Sequence, residues 1–328
     1  MAPLYLFLHT YSLRFHFQYA PGYNVFAFIE RAVADGFTGV SISANGPGYR
    51  HLGGTTSQWF ASVRDRIQAD RLLCDIDTSG TSPEHLKILL DVAEAVGAQQ
   101  LRTYTRHRGT PQEMVDLTTR DLLAVAPLAE RVGIRVMLEN HEKFTGPEIA
   151  QVLERVNNPW IAALYDYGNS MMVMEDPLTA LGAMAPYAHS AHLKDHVMLS
   201  PQNSPDGRLS VLGVPIGQGN LPIVEITRRL IAAGLDRIVF ENVWAYRAPI
   251  DESRKSCNNS PLGAGAFAFA HPPFDAAICL LDPGERAAHD PQSLVSLEDR
   301  AMKTGLTWLR RRLAETEIIL ANSWRNIR

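Results

Sequence analysis

The chain has 328 residues, of which 46% are hydrophobic, and carries 31 basic and 35 acidic side chains. This composition is typical of a globular protein and excludes an intrinsically disordered chain. The net charge of −4 argues against nucleic acid as the main partner, because phosphate binding needs clustered lysine and arginine.

Short apolar segments alternate with longer amphipathic segments along the first three quarters of the chain. Strands are predicted at 4–9, 39–43, 71–77, 100–104, 134–139, 161–166, 188–193 and 237–241. Helices are predicted between them at 24–34, 57–69, 83–96, 110–132, 145–156, 177–184 and 221–233. Eight strands in alternation with helices predict an α/β fold, and their number favours a closed (β/α)8 TIM barrel over residues 1–247. An open doubly wound sheet is the alternative, but no Gly-x-Gly-x-x-Gly motif follows a strand.

Residues 248–328 differ in character from this repeating pattern. A Gly/Ala/Phe-rich segment at 262–271 precedes a mostly helical segment at 290–320. We expect a C-terminal extension that contains a helix and is not an independent domain. The segment 262–271 is expected to expose apolar surface, either at a subunit contact or at the mouth of an active site.

Cysteine usage and hydropathy indicate the cellular compartment. Cys74, Cys257 and Cys279 are odd in number and widely spaced, which suits a reducing environment and suggests no disulfide framework. No apolar run approaches the roughly 18 residues of a membrane span, and no basic segment precedes the first apolar stretch. The expectation is therefore a cytoplasmic protein without a membrane partner.

Four successive predicted strands end in side chains that can bind a metal, namely Glu139, Asp166, His192 and Glu241. The C-terminal ends of parallel barrel strands meet at one mouth, so these side chains can converge there. A single such residue is more often a salt-bridge partner, but four on neighbouring strands predict a site for one divalent cation. The oxygen-rich donor set favours Mn²⁺, with Mg²⁺ or Co²⁺ as alternatives.

The motifs around these residues resemble the sugar-phosphate isomerase/epimerase family of xylose-isomerase-like metal barrels. The resemblance covers residues 4–247, and its motifs are Leu-Glu-Asn-His (138–141), Tyr-Asp-Tyr-Gly-Asn (165–169), His-Leu-Lys-Asp (192–195) and Phe-Glu-Asn (240–242). It implies one divalent ion held by Glu139, Asp166, His192 and Glu241, and removal of a proton next to a sugar carbonyl. In ketose 3-epimerases of this family the residues matching Glu139 and Glu241 exchange that proton. Those epimerases usually carry an arginine after the metal-binding histidine, whereas this chain reads His-Leu-Lys-Asp-His at 192–196.

The string Glu-Asn-His-Glu at 139–142 and the long extension look more like the catalytic subunit of bacterial C-glycoside deglycosidases. That resemblance implies a metal-dependent lyase, in which loss of the C2 proton of a 3-keto glycoside expels the aglycone from C1. His141, Glu139 and Glu241 are then the catalytic candidates, and His141 either transfers the proton or orients a metal ligand. The resemblance also implies a small β-rich partner subunit, with a homo-oligomer as the alternative.

Other side chains near the strand ends are expected to contact a sugar or glycoside substrate: His9, Arg102, Tyr104, Asn140, Lys194, His196 and Trp244. The first alternative to the lyase is a sugar isomerase or epimerase of the ketose 3-epimerase type. A further alternative is a keto-acid dehydratase of the same barrel family, which needs a cationic clamp that Arg102 would supply. A nuclease of the endonuclease IV type would need more metal ligands and a basic mouth, and a non-catalytic barrel would bind no metal.

Overall fold

The computed structural model describes residues 3–257 and 262–321, with the backbone alone for 255–257. Within these ranges, the strands that form the barrel are β1 (Tyr5–His9), β2 (Gly39–Ser43), β3 (Leu73–Asp77), β4 (Gln100–Thr103), β5 (Arg135–Glu139), β6 (Ile161–Asp166), β7 (Ala188–Leu193) and β10 (Arg237–Phe240). Strands β8 (His196–Leu199), β9 (Ser210–Gly213) and β11 (Arg247–Pro249) form a separate sheet. The predicted strands of the barrel are therefore all present, with ends that differ by at most two residues.

The helices are α1 (Arg14–Tyr19), α2 (Val25–Ala34), α3 (Ser57–Ala69), α4 (Pro83–Val96), α5 (Pro111–Val132), α6 (Gly146–Val156), α7 (Pro177–Met184), α8 (Ile223–Ala232), α9 (Pro283–His289) and α10 (Pro291–Glu315). Local sequence explains several of their ends. Thr110 and Thr145 cap α5 and α6 in capping boxes with Glu113 and Glu148. Gly133 ends α5 at a φ of 70°, a left-handed conformation that glycine adopts without strain. In the described ranges, no helix has the combined length and apolar character needed to cross a membrane.

The eight barrel strands close in the order β1-β10-β7-β6-β5-β4-β3-β2, and every neighbouring pair is parallel. Helices from the intervening segments cover the outside, and the apolar core fills the space between helices and strands. The prediction of a (β/α)8 TIM barrel is therefore confirmed. All C-terminal strand ends lie at one mouth, where the predicted site residues are located.

The sheet of β8, β9 and β11 lies in the connections after β7 and β10, and the sequence did not predict it. Its strands are antiparallel and only three or four residues long, too short to show a clear alternating pattern. Segment 262–271 packs against this sheet: Phe269 pairs with Met198, and Phe267 is only 1% exposed. The expectation that 262–271 exposes apolar surface is therefore wrong at Phe267, because the small sheet covers that ring.

Helix α10 confirms the predicted helix in the C-terminal extension. Its buried face includes Leu294, Ala301, Leu309 and Leu313. Gly305 brings the helix against the barrel, since an added Cβ would lie 3.1 Å from the backbone N of Ile216 and 3.2 Å from Phe240. The helix thus packs on the barrel wall beside the last strand, while the proposed division of the chain at residue 247 stays a prediction.

Glu298 anchors α10 to the segment that follows β1. Its buried carboxylate accepts the backbone N–H groups of Phe15 and His16 at 3.0 Å, and it lies 2.7 Å from Nδ1 of His16. Asp299 lies 3.3 Å from the other ring nitrogen. Burial opposes the charged form of His16, but the hydrogen bonds with Asp299 and Glu298 outweigh it and raise the pKa of His16 to about 9. A charged imidazole therefore joins α1 to α10 at neutral pH.

Replacing Glu298 with alanine should lower the free energy of unfolding by about 3 kcal/mol, because two backbone N–H groups and a charged imidazole lose their buried partner. Urea unfolding of the wild type and Glu298→Ala measures the difference. The matched control Glu315→Ala removes an exposed carboxylate from the same helix and should cost less than about 1 kcal/mol. Equal losses in the two variants would contradict the anchoring role of Glu298.

The same contact should make the protein less stable in alkali. The pKa of His16 is raised from 6.5 to about 9 on folding, so protonated His16 stabilises the fold fully below pH 6.5. That contribution disappears as the pH rises through about 9. The difference in unfolding free energy between wild type and His16→Gln should therefore shrink from about pH 7 to about pH 10, as measured by urea unfolding in a buffer series. A difference that stays constant or grows would disprove this explanation.

Candidate active site

Strands β5, β6, β7 and β10 are successive neighbours in the barrel and carry the four predicted metal ligands. Glu139 ends β5, Asp166 ends β6, and Glu241 directly follows β10. His192 lies in β7 and pairs in register with Asp166 on one side and Val239 on the other. All four side chains are buried, so the regular strand register brings them to one level of the barrel mouth.

The polar atoms of these side chains form one cluster. Nδ1 of His192 lies 3.2 Å from Oε1 of Glu139 and 3.6 Å from Oε2 of Glu241. One ligand atom each from Glu139, Asp166 and His192 can be chosen so that all lie within 4.8 Å of one another. The structure therefore brings together the four side chains that the sequence singled out, and their role as ligands stays a prediction.

Two buried cations neutralise the carboxylates of this cluster. A guanidinium nitrogen of Arg102 lies 2.5 Å from Oε2 of Glu139. The ammonium of Lys194 lies 2.7 Å from Oδ2 of Asp166 and 2.9 Å from Oε2 of Glu241. Charges buried at this depth require such partners, because water is excluded and cannot solvate them.

The pKa values of the three carboxylates are shifted in different directions by these surroundings. Burial opposes ionisation of Glu139, but Arg102 and His192 outweigh it and hold its pKa well below the usual range. Burial likewise opposes ionisation of Glu241, while Lys194, His192 and His9 lower its pKa. At Asp166, burial dominates over the attraction of Lys194 and raises the pKa to about 7. Two of the three carboxylates are thus ionised at neutral pH, and Asp166 titrates near neutrality.

The donor set fits a divalent cation. Within the described residues, Nε2 of His192 has no hydrogen-bond partner. Oε2 of Glu139, Oδ2 of Asp166 and Oε2 of Glu241 have ion-pair neighbours but no hydrogen bond of normal geometry. Buried polar atoms in this condition are uncommon unless they bind a ligand or ion. Carboxylate oxygens with one imidazole nitrogen are donors that Mn²⁺ and Mg²⁺ accept.

Asn140 and Asn169 hold the cluster in place. The amide of Asn140 accepts the backbone N–H of Asp166 at 2.8 Å and donates to its carbonyl at 3.3 Å, which ties β5 to β6. Oδ1 of Asp166 accepts the backbone N–H groups of Gly168 and Asn169. The amide of Asn169 reaches Oε1 of Glu139 and the ammonium of Lys194, both at 3.4 Å. These bonds fix the carboxylate orientations before any ligand arrives.

A cavity of about 470 Å³ opens beside the cluster, within the range of small-molecule sites. Its lining residues come from the ends of seven barrel strands and the loops that follow them: His9, Tyr11, Ser43, Asn45, Gly46, Arg50, His51, Arg102, Tyr104, Arg106, His141, Glu142, Asn169, Lys194, Glu241, Val243 and Tyr246. Of the predicted metal ligands, Glu241 reaches the cavity wall. Glu139, Asp166 and His192 are buried behind the wall.

His141 lies in the cavity wall, two residues after Glu139. Its ring stacks on Tyr104, with ring centroids 3.8 Å apart and planes within 8° of parallel. Burial lowers the pKa of His141 to about 4, although Glu139 and Glu142 favour the charged form. The imidazole is therefore neutral at neutral pH and has one nitrogen that can accept a proton.

His9 belongs to a second group of polar side chains at the ends of β1 and β3. Its Nε2 is hydrogen-bonded to Oδ2 of Asp77, and its Nδ1 accepts a hydrogen bond from the backbone N–H of Tyr11 at 3.0 Å. Ser41 donates to the other oxygen of Asp77 at 3.0 Å. Sequence reasoning missed Asp77, although it follows the same rule of an acidic residue at a strand end.

Predicted substrate contacts divide into two sets. His9, Arg102, Tyr104 and Lys194 line the cavity, whereas Asn140, His196 and Trp244 do not. Asn140 bridges β5 and β6, the Trp244 ring packs on Phe15, and the buried His196 ring lies against Gly168. The geometry does not support substrate contact by these three, because neighbouring elements cover their side chains.

Asp195, just after β7, holds the segment between β9 and α8 in place. Its carboxylate accepts the backbone N–H groups of His196, Gly217, Gly219 and Leu221 at 2.8–3.2 Å. An added Cβ on Gly219 would lie 2.1 Å from Asp195, so this close approach requires glycine. The bonds hold the loop beside Lys194 and thereby support the cavity wall.

Comparison with known proteins agrees with this fold. A family model described as a xylose isomerase-like TIM barrel matches residues 29–259. The chain is 23% identical over 234 residues to the uncharacterized protein YihM of Escherichia coli (strain K12). The aligned region covers 71% of this chain and 70% of YihM.

Solved structures share the same fold. D-psicose 3-epimerase with D-tagatose, from Clostridium cellulolyticum H10, has a TM-score of 0.62 at 13% identity. The match covers 95% of this chain and 99% of the epimerase chain. The IOLI protein with a bound zinc atom has a TM-score of 0.60 at 12% identity, and the match covers 78% of this chain and 92% of the IOLI chain. At these identities the likeness shows the fold alone.

The family match includes all four residues of the buried cluster and spans more than half of the chain. The predicted resemblance to xylose-isomerase-like barrels is therefore confirmed, while the nearer likeness to C-glycoside deglycosidases stays a prediction. The chain belongs to the xylose isomerase-like TIM barrel family.

Proposed function

We propose that this protein is a cation-dependent isomerase or epimerase that moves a proton at the carbon next to the carbonyl of a keto sugar. The observation that carries this proposal is the position of Glu241 and His141, which line one cavity beside a buried cluster of cation-binding side chains. A D-psicose 3-epimerase shares the fold, which favours this reaction over the lyase reaction as the first hypothesis.

Glu139, Asp166, His192 and Glu241 are the residues that would hold the cation. When bound, a divalent cation supplies Lewis-acid polarisation of a sugar carbonyl oxygen. Mn²⁺ remains the first expectation, with Mg²⁺ and Co²⁺ as alternatives, and the zinc atom in the IOLI protein adds Zn²⁺ to the metals to be tested.

Glu241 and His141 are the acid–base pair that the cavity offers. The resemblance to ketose 3-epimerases implied Glu139 and Glu241, but Glu139 is held by Arg102 and His192 and does not line the cavity. Strands β5 and β10, which position His141 and Glu241, are three places apart around the barrel, so the two groups reach the cavity from different directions. Proton removal by one and return by the other is what inversion at a carbon requires.

Lys194 supplies positive charge on the cavity side of the cluster. Its ammonium contacts Asp166 and Glu241 and also lines the cavity. An ammonium in this position can donate a hydrogen bond to a sugar oxygen that becomes negative as the carbon loses its proton. Together with Asn169, it would orient the sugar hydroxyls next to Glu241.

Elimination of an aglycone from a 3-keto glycoside is the second candidate function. The tyrosines Tyr11, Tyr104 and Tyr246 line the cavity, and aromatic walls of this kind suit a flat aglycone. His141 would take the C2 proton, the C–H electron pair would form the C1–C2 double bond, and the aglycone would leave C1 with its bonding pair. A small β-rich partner or a homo-oligomer stays a prediction within this candidate function.

The keto-acid dehydratase hypothesis predicts that Arg102 binds the carboxylate of the substrate, and the position of Arg102 does not support it. Arg102 lies 2.5 Å from Glu139 and is committed to that buried carboxylate. It is therefore not free to bind a substrate carboxylate, and this alternative would need other cations in the cavity.

Titration of metal-stripped protein with Mn²⁺ should show one bound ion per chain. Asp166→Asn should weaken that binding at least about tenfold, because a charged oxygen donor becomes a neutral amide. Isothermal titration calorimetry measures both affinities. Glu142→Gln is the matched control, since Glu142 lines the cavity outside the buried cluster and should leave the affinity unchanged. Binding that is absent in the wild type, or equal in Asp166→Asn, would contradict the cation site.

Incubation with D-psicose, D-fructose or D-tagatose in D₂O should place deuterium on the carbon next to the carbonyl of an intact sugar, as read by NMR. Glu241→Gln and His141→Gln should each lower the exchange rate at least about a hundredfold, because each removes a proton-transfer group. His189→Gln is the control, since His189 lies exposed on β7 and outside the cavity. Exchange that persists in both cavity variants would rule out this acid–base pair, whereas release of an aglycone from a 3-keto glycoside without exchange into ketoses would favour the lyase.

A further inference from the structure

The cavity carries more positive than negative side chains. Arg50, Arg102, Arg106 and Lys194 line it, against Glu142 and Glu241. His51 adds no charge, because burial, with His9 and Arg50 nearby, lowers its pKa to about 4. The cavity therefore has an unequal set of formal charges at neutral pH.

Most of these charges already have partners. Arg102 pairs with Glu139, and Lys194 pairs with Asp166 and Glu241. Glu142 accepts the hydroxyl of Tyr246. Within residues 3–257 and 262–321, no carboxylate pairs with the guanidinium of Arg50 or Arg106. The cavity is thus lined by two guanidinium groups without a carboxylate partner among the described residues.

Arg50 and Arg106 lie on the same side of the barrel mouth. Arg50 is in the loop after β2 and Arg106 is in the loop after β4, so the two loops flank β3. The guanidinium carbon of Arg106 lies 5.0 Å from the ring centroid of Tyr104, whose ring stacks on His141. The surplus positive charge is therefore next to the wall that carries one of the proton-transfer groups.

We propose that the sugar substrate carries an anionic group, a carboxylate or a phosphate, that Arg50 and Arg106 bind. Guanidinium groups present planar, paired N–H donors that match such oxyanions. The identity of the substrate as a keto sugar rests on the proposed function, whereas the anion site rests on two cavity-lining arginines without a carboxylate partner among the described residues. These arginines also provide the cationic clamp that Arg102 cannot provide.

Binding of three matched sugars tests this inference: D-fructose, D-fructuronate and D-fructose 6-phosphate, titrated into Mn²⁺-loaded protein and followed by ligand-observed NMR. The wild type should bind at least one anionic sugar about tenfold more tightly than D-fructose, and added salt should reduce that preference. Comparison of the two anions tells a carboxylate site from a phosphate site. Arg50→Gln and Arg106→Gln should each weaken anion binding about tenfold and leave D-fructose binding unchanged. Arg286→Gln, which changes an exposed arginine of α9, is the control.

Equal binding of neutral and anionic sugars, no measurable binding of either anion, or anion binding unaffected by both variants would overturn the inference. Solvent deuterium exchange with the same sugars separates this result from the proposed function. Exchange into D-fructose without an anion preference would leave the isomerase proposal intact and reject the anion site. Tight, arginine-dependent anion binding without exchange into any of the sugars would support the anion site and reject the isomerase proposal.

Discussion

The buried negative charge of Glu139, Asp166 and Glu241 is the constraint on which the rest of the barrel mouth depends. Three carboxylates this close cannot stay ionised in a dry interior without positive partners. Arg102 and Lys194 supply this charge at 2.5–2.9 Å. Arg102 is committed to Glu139, so the side chains that can handle a substrate are Lys194, which also lines the cavity, and those one layer further out.

The alternation of side chains along a strand explains how one strand serves both layers. Residues two positions apart lie on the same face. Strand β5 thus supplies Glu139 to the buried cluster and, just beyond its end, His141 to the cavity. Strand β7 does the same with His192 and Lys194. The buried layer would hold the cation and the outer layer would meet the substrate, with Glu241 belonging to both layers. A two-residue spacing along the strands keeps the two layers adjacent.

The barrel and its buried cluster could be predicted from the sequence, because strand periodicity and polar strand ends are local patterns. Arg50 and Arg106 could not be predicted, since they lie in loops. Their significance is that no carboxylate in the described part of the chain pairs with them, and this depends on the whole fold. The same holds for Asn140: its neighbour His141 faces the cavity, while Asn140 bonds the backbone of Asp166. The partner that such a side chain meets depends on the neighbouring strand, and a local sequence pattern does not show it.

The ammonium of Lys194 has a consequence for how the protein is assembled. Many metal sites leave like charges facing one another until the ion arrives, so folding and metal uptake are coupled. Here a covalently attached counter-ion already lies between Asp166 and Glu241. The two carboxylates therefore have a counter-charge without an ion, and a cation bound there would compete with this ammonium for Asp166 and Glu241. A cation held by these carboxylates would take over their neutralisation, and the ammonium of Lys194, which already lines the cavity, would then be free to face a substrate.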